Sequence, residues 1–420
     1  MPVEAFSLPK PRCESLSNGI PVFYFDNPNL ELIHILFQVH AGSLHQPRKH
    51  VCNFTYSLLK ESSPELTPLE TAENLDFYGT NVITNVGLEW TQVLVSVPKN
   101  NMADILPAIA AFLISPQYKD ENLRIMQDKE VKNLAYNRQK TDYVSWQLMW
   151  HELLGSAFPA VSDFASPETL NAVTVEQLQE FHRRSFCAGN LSVFVTGNVD
   201  GRCERQIADM VSGIPHGAAM PELARLSRTA HDSRLVYQPM EGCLQSSLIL
   251  CRVEDGYNHP DRTAFSVLNT LTGGYFSSRL MQNLRERQGL TYGISSSSTY
   301  FGDQSVFAIS SDVNAAQTAR AIDSCFEELQ RLQDRPVSDE ELAMVKNYMA
   351  GIQLRSVDTS VNAMQKYAFF RRFGLDGTEL QRYLADIRKV TPEELLNLAK
   401  KHFPCNKFTR IVVGSYLEKK

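Results

Sequence analysis

The sequence lacks any recognisable metal-binding string. None of its 10 histidines lies three or four residues from another, so no helix face offers two imidazoles, and neither HxxEH nor HExxH occurs. His40, His45 and His50 are spaced by five, which spreads them around a helix or loop, and His151-Glu152 stands alone. Of the 8 cysteines (Cys13, Cys52, Cys187, Cys203, Cys243, Cys251, Cys325 and Cys405), no two form a CxxC pair. That excludes a thiolate zinc knuckle and a thioredoxin-type motif, and the scatter suits buried free thiols in a reducing compartment. No segment offers ~18 uninterrupted apolar residues, so no membrane span is expected. The N-terminal MPVEAFSLPKPRC has no apolar h-region. The cytoplasm is the favoured compartment, and the periplasm is compatible with a removed signal peptide. Basic residues are in no excess: 41 Lys+Arg face 47 Asp+Glu, a formal net charge of -6. That balance argues against nucleic acid as the main partner, which would need a clustered basic surface.

What is present is a soluble, globular composition, 43% hydrophobic and 21% charged, over 420 residues, enough for two domains. The chain also repeats itself. Residues 171–199 (NAVTVEQLQEFHRRSFCAGNLSVFVTGNV) align without gaps on 388–416 (RKVTPEELLNLAKKHFPCNKFTRIVVGSY). Val173/Val390, Thr174/Thr391, Glu176/Glu393, Leu178/Leu395, Phe186/Phe403, Val195/Val412 and Gly197/Gly414 are identical. Each copy opens on a Thr suited to N-capping, with an acid two positions later, and runs through an amphipathic helix into a strand. Between the copies, residues 212–242 carry Gly213, Pro215, Gly217, Pro221, Pro239 and Gly242, with little periodicity until Leu235. The predicted organisation is a domain over 1–211, a linker over 212–234 and a domain over 235–420.

Each half opens with strands. Ile33, Ile35, Phe37 and Val39 alternate with Leu32, His34, Leu36 and Gln38, and Thr91, Val93, Val95 and Val97 alternate again. Strands are also predicted at Ser247–Cys251 and Ser305–Ser311, and helices near 50–61, 101–115, 120–154, 262–287, 315–333 and 338–357. The fold class is therefore α+β: a mostly antiparallel sheet packed with helices, built twice.

The order strand, AGS, helix, long β segment, long helix, all duplicated, resembles the M16 metallopeptidases, which include pitrilysin, insulin-degrading enzymes and mitochondrial processing peptidase. The resemblance covers essentially the whole chain. It is carried by LSNGIPVFYFD (16–26), HAGSLHQP (40–47) and, most specifically, GGYFSSRLMQNLRERQGLTYGISS (273–296).

In catalytic members of that family an H-x-x-E-H motif lies on the helix after AGS. Positions i, i+3 and i+4 share one helix face, so two His can bind zinc while the Glu serves as base. A further Glu about 80 positions on completes the ligand set. The resemblance puts Asn53 at the first His, Tyr56 at the Glu, Ser57 at the second His and Asn133 at the distal Glu. Amides, a phenol and a hydroxyl are poor zinc ligands and poor bases at neutral pH. No zinc is expected on this chain, which is predicted to be inactive alone.

The second half keeps an Arg and a Tyr at the family's spacing, Arg285 and Tyr292. The resemblance implies that they reach a catalytic domain, the Arg holding a substrate carbonyl and the Tyr stabilising an oxyanion. The bland alternative is a helix-end cation near a C-cap at Gly289 and a strand aromatic. Gly273 and Gly274 match a substrate-contacting glycine loop, or else simply a helix break. Asn81 and Thr84 match the edge strand that binds extended peptide in the family, with Val82 departing from its pattern; a structural strand start is the alternative.

Three functional expectations follow. In the first, the chain is the non-catalytic subunit of a two-component peptidase, and an HxxEH-bearing M16 homologue supplies zinc, ligands and base. In the second, it is a peptide-binding scaffold comparable to the core subunits of the respiratory bc1 complex. The third, a self-sufficient enzyme with a displaced site, has no ligand cluster or triad behind it. A homodimer is a further possible assembly.

Overall fold

The computed structural model describes residues 7–227 and 232–416. Eleven strands form two sheets among the described residues. The first contains β1 (Arg12–Ser15), β2 (Pro21–Asp26), β3 (Leu32–Val39), β4 (Asn81–Val86), β5 (Thr91–Pro98) and β6 (Leu191–Gly197), in the order β1-β2-β6-β3-β5-β4. The second contains β7 (Leu235–Pro239), β8 (Gln245–Asp255), β9 (Thr291–Phe301), β10 (Gln304–Asn314) and β11 (Thr409–Gly414), in the order β7-β11-β8-β10-β9. Without β1 the two orders are the same. In each, one pair is parallel (β2 with β6, β7 with β11) and the rest are antiparallel. The architecture is the duplicated α+β layer that the repeat predicts.

The identities between the two copies have local physical causes. Thr174 and Thr391 both cap their helices, accepting from the backbone N–H of Gln177 and Glu394. Gly197 and Gly414 end the last strand of each sheet at φ +140° and +123°. A Cβ on Gly197 would lie 2.7 Å from Ile33 Cδ1, and one on Gly414 2.6 Å from Ser246 Oγ. Both conformation and closeness to the neighbouring strand therefore require glycine.

Each sheet packs one face on helices of its own half. Ile33, Ile35, Phe37, Val93 and Val195 belong to one such core, Leu248, Leu250, Phe307 and Val412 to the other. The opposite faces are covered by exchange. Helix Thr141–Leu154 of the first half lays Val144, Leu148, Met149 and Leu153 on Ile249, Cys251, Ala308 and Ile411 of the second sheet. Helix Ser360–Arg371 of the second half lays Met364, Tyr367 and Ala368 on Phe23, Phe25, Leu36 and Phe194 of the first. Burial on both faces explains why β8 is buried almost throughout rather than alternating. Polar contacts fix both crossings. Gln38 Nε2 donates to the Ala368 carbonyl at 3.0 Å while its Oε1 accepts from Arg372 Nε at 3.1 Å. Ser247 Oγ donates to Thr141 Oγ1 at 2.9 Å.

The structure corrects three predicted helices. The segment 120–154 is two helices, Asp120–Asn137 and Thr141–Leu154. The chain turns at Arg138–Lys140, without Pro or Gly, so that the second helix can leave its own half. The segment 262–287 also breaks. Helix Arg262–Asn269 widens into a π-turn over Thr270–Gly274, Tyr275 is extended, and a second π-type helix spans Met281–Arg287. Helix 50–61 ends early, as Val51–Ser57 followed by a 3₁₀ turn over Leu59–Glu61.

Residues between the two sheets do not hang free. Met220 N–H donates to Asn190 Oδ1 at 2.6 Å, and Leu226 exchanges hydrogen bonds with the Gln304 side chain at 2.6 and 2.9 Å. Glu89 adds a clasp. Its carboxylate pairs with His40 at 3.2 Å and accepts from Gly302 N–H, in the β9–β10 turn, at 2.8 Å. Burial alone would raise the Glu89 carboxyl, but these bonds hold it below its ordinary value. His45, edge-on to His40, is pushed down to about 4, chiefly by burial.

Because each half covers the other's sheet, an excised 1–211 fragment would expose Phe23, Phe25, Leu36 and Phe194. We expect it to bind a hydrophobic dye and to lack a cooperative thermal transition, and mixing with a 212–420 fragment to restore one. A sharp transition for 1–211 alone would show that the crossing helices are dispensable. Within the full chain, Met149→Ala is expected to cost about 2–5 kcal/mol and to lower a single transition for both halves in urea.

Candidate functional site

The four positions at which the family holds its metal differ in environment. Helix Val51–Ser57 starts from His50, which sits at φ 75°. Asn53 and Ser57 are exposed on it. Tyr56 is fully buried, and its hydroxyl is 2.8 Å from Ser185 Oγ in helix Val175–Ser185. Burial raises its phenol far above the ordinary range, so it stays neutral and offers no base. Asn133 is exposed, and its amide donates to Glu130, one turn back, at 3.1 Å. A set of two exposed amides, one hydroxyl and a phenol turned into the core does not fit zinc. Among the described residues no group of three or more His, Cys, Asp or Glu is placed to hold a metal ion.

The second half places its features differently. Arg285 lies in the last turn of helix Met281–Arg287, half-buried, its guanidinium 4.7 Å from the centre of the Phe276 ring. Gly289, at φ +63°, closes that helix. Its N–H bonds the Arg285 carbonyl and that of Leu290 reaches Leu284. This cap reverses the chain so that β9 begins at Thr291. Tyr292 is 88% exposed and Phe276 65% exposed, the Phe276 ring met on one face by the Arg285 guanidinium.

Gly273 is buried behind β9, and a Cβ there would lie 2.6 Å from Ser296 Oγ and 2.9 Å from Ser296 N. Close packing therefore gives Gly273 a reason of its own. Gly274 is exposed, with only 3.3 to 3.4 Å contacts for a Cβ. Asn81 and Thr84 lie on β4, an outer strand of the first sheet that pairs only with β5. Side chains alternate along a strand, so these two point to opposite faces. Asn81 is exposed, and Val82 between them is in the core. What β4 offers a peptide is its open backbone edge, with Asn81 and Ile83 on the outer side.

Residues 172–349 match the family model described as the peptidase M16 inactive domain. An uncharacterized zinc protease of Streptomyces coelicolor is 22% identical over 82% of this chain and 76% of its own length. A Helicobacter pylori protein named non-peptidase homolog YmxG is 20% identical over 94% of this chain and 92% of its own. The crystal structure of a peptidase M16 inactive domain from Pseudomonas fluorescens superposes with a TM-score of 0.89 at 19% identity, covering 98% of this chain and 99% of that one. Over residues 172–349 the chain is similar to the M16 family. It has the M16 fold, and the motif positions that hold zinc in catalytic M16 peptidases carry residues that do not fit the metal.

Gly273→Ala should cost about 1–3 kcal/mol by overpacking against Ser296. Gly274→Ala should stay within about 0.5 kcal/mol, as for an unremarkable surface site. Urea titrations compare the two, and equal costs would refute the packing account of Gly273.

Proposed function

We propose that this chain is the non-catalytic subunit of a two-component M16 peptidase. A zinc-bearing HxxEH homologue would supply the metal, its ligands and the base, and this chain would supply substrate binding and stabilisation of negative charge. The observation that carries the reading is Tyr292: a solvent-facing phenol seven residues from a half-buried guanidinium, on a cap-and-strand corner, with no side-chain hydrogen bond among the described residues. Arg285 would hold a substrate carbonyl. Tyr292 would donate to the oxyanion as charge develops there, a preorganised donor being worth most where water is excluded. An extended peptide would add as a strand along the open edge of β4, near Asn81 and Thr84, and pass Gly274 and Gly273.

A scaffold reading is favoured by one fact, that the H. pylori relative is named a non-peptidase homolog. It leaves the exposed Tyr292 phenol without a role. The test is peptide cleavage by the HxxEH homologue from the same source, alone and mixed with this chain. We expect activity well above that of the homologue alone, lowered roughly 10²–10³-fold by Arg285→Ala in this chain. Tyr292→Phe should lower kcat more than it raises KM. A mixture no faster than the homologue alone would favour the scaffold.

A further inference from the structure

A second site lies apart from the zinc-motif positions and from the Arg285–Tyr292 corner. Helices Arg262–Asn269 and Ser360–Arg371, with helix Glu379–Lys389 and the end of β9, line a half-open cavity of about 240 Å³. Its walls are aromatic: Tyr257, Tyr300, Phe369 and Tyr383. Two cations face it. Arg262 is committed already, ion-paired to Glu379 and stacked 4.1 Å from the Tyr257 ring centre and 5.2 Å from that of Tyr383.

Lys366 is not committed. Among the described residues its ammonium has no carboxylate and no hydrogen-bond acceptor, only the ring faces of Phe370 at 5.4 Å and Phe369 at 5.9 Å. Gln353 reaches the same cavity from helix Asp339–Arg355, and its buried Oε1 accepts no hydrogen bond. Buried polar groups are ordinarily satisfied. Here a buried acceptor, Gln353 Oε1, lacks a partner, and the half-buried Lys366 faces the same aromatic-walled space. Pockets for drug-sized ligands run to about 300–1,000 Å³, so this one suits a single-ring molecule.

We propose that this cavity binds a small aromatic carboxylate carrying a hydrogen-bond donor. The carboxylate pairs with Lys366, the ring packs on the tyrosine wall, and the donor reaches Gln353 Oε1. Arg262, held by Glu379, supplies positive potential without taking the anion itself. The site also bears on assembly. The other face of helix Ser360–Arg371 carries Met364, Tyr367 and Ala368 onto the first sheet. A ligand here binds the folded crossing and not the unfolded chain, and stabilises both halves together.

Burial, with Arg262 alongside, lowers Lys366 to about 8. Tyr257, Tyr300 and Tyr383 are raised by burial and stay neutral around it. Binding needs the charged amine, so affinity should be level below pH about 8 and fall as pH rises through it.

The test titrates the full chain by calorimetry with 4-hydroxyphenylacetate, phenylacetate and the neutral 4-hydroxyphenylacetamide. We expect saturable binding of the first, several-fold weaker binding of the second, and at least about tenfold weaker binding of the amide, which loses the charge pair. Lys366→Met should remove the preference for acid over amide, and Gln353→Leu the preference for the hydroxylated acid. No saturable binding of 4-hydroxyphenylacetate at low millimolar concentration, or equal affinity for acid and amide, overturns the proposal. The comparison of acid and amide uses the unaltered protein, so it decides the matter even if a variant fails to fold.

Discussion

Everything in this molecule depends on two helices that leave home. Each sheet has two apolar faces, and the helices of one half cover only one of them. Sheets buried on both sides need a second layer, and here the layer comes from the other half in both directions. The constraint shapes the sequence locally. Gln38, a polar residue at the centre of β3, is tolerated because the Ala368 carbonyl and Arg372 of the visiting helix satisfy it. Ser247 and Thr141 perform the reciprocal task at the other crossing.

The loss of the zinc motif is more than a deletion of ligands. Tyr56, where the family's base would stand, has become part of the first half's core and is hydrogen-bonded to Ser185. Tyr118 donates to the Thr55 carbonyl beside it at 2.9 Å. A carboxylate introduced at position 56 would be stripped of water and left against apolar neighbours, a cost of several kcal/mol before any metal arrived. In this chain the helix is a packing element.

Much of this was legible in the sequence, for reasons that differ by element. The duplication was visible because capping and close approach admit few residues: Thr at the N-caps, Gly at the strand ends, Phe186 and Phe403 in the cores. The Arg285–Gly289 cap was visible because a left-handed helix end selects glycine. The break at Arg138–Lys140 was not, since Arg-Gln-Lys suits a helix interior and only tertiary packing bends the chain there. The cavity around Lys366 was equally hidden. Lys366, Gln353, Arg262 and Tyr300 lie far apart in the chain, and a lysine with open neighbours has no signature of its own until the fold assembles its surroundings.

The exchanged helices also bear on how such a chain could arise. A half-length ancestor of this design buries both faces of its sheet only by pairing with another copy, so its folding would depend on its own concentration. Fusing two copies through a short segment replaces that dependence with an effective concentration in the millimolar range. A linker expected over 212–234 would, in that light, turn a second-order assembly into a first-order one and free each half to diverge without losing its partner.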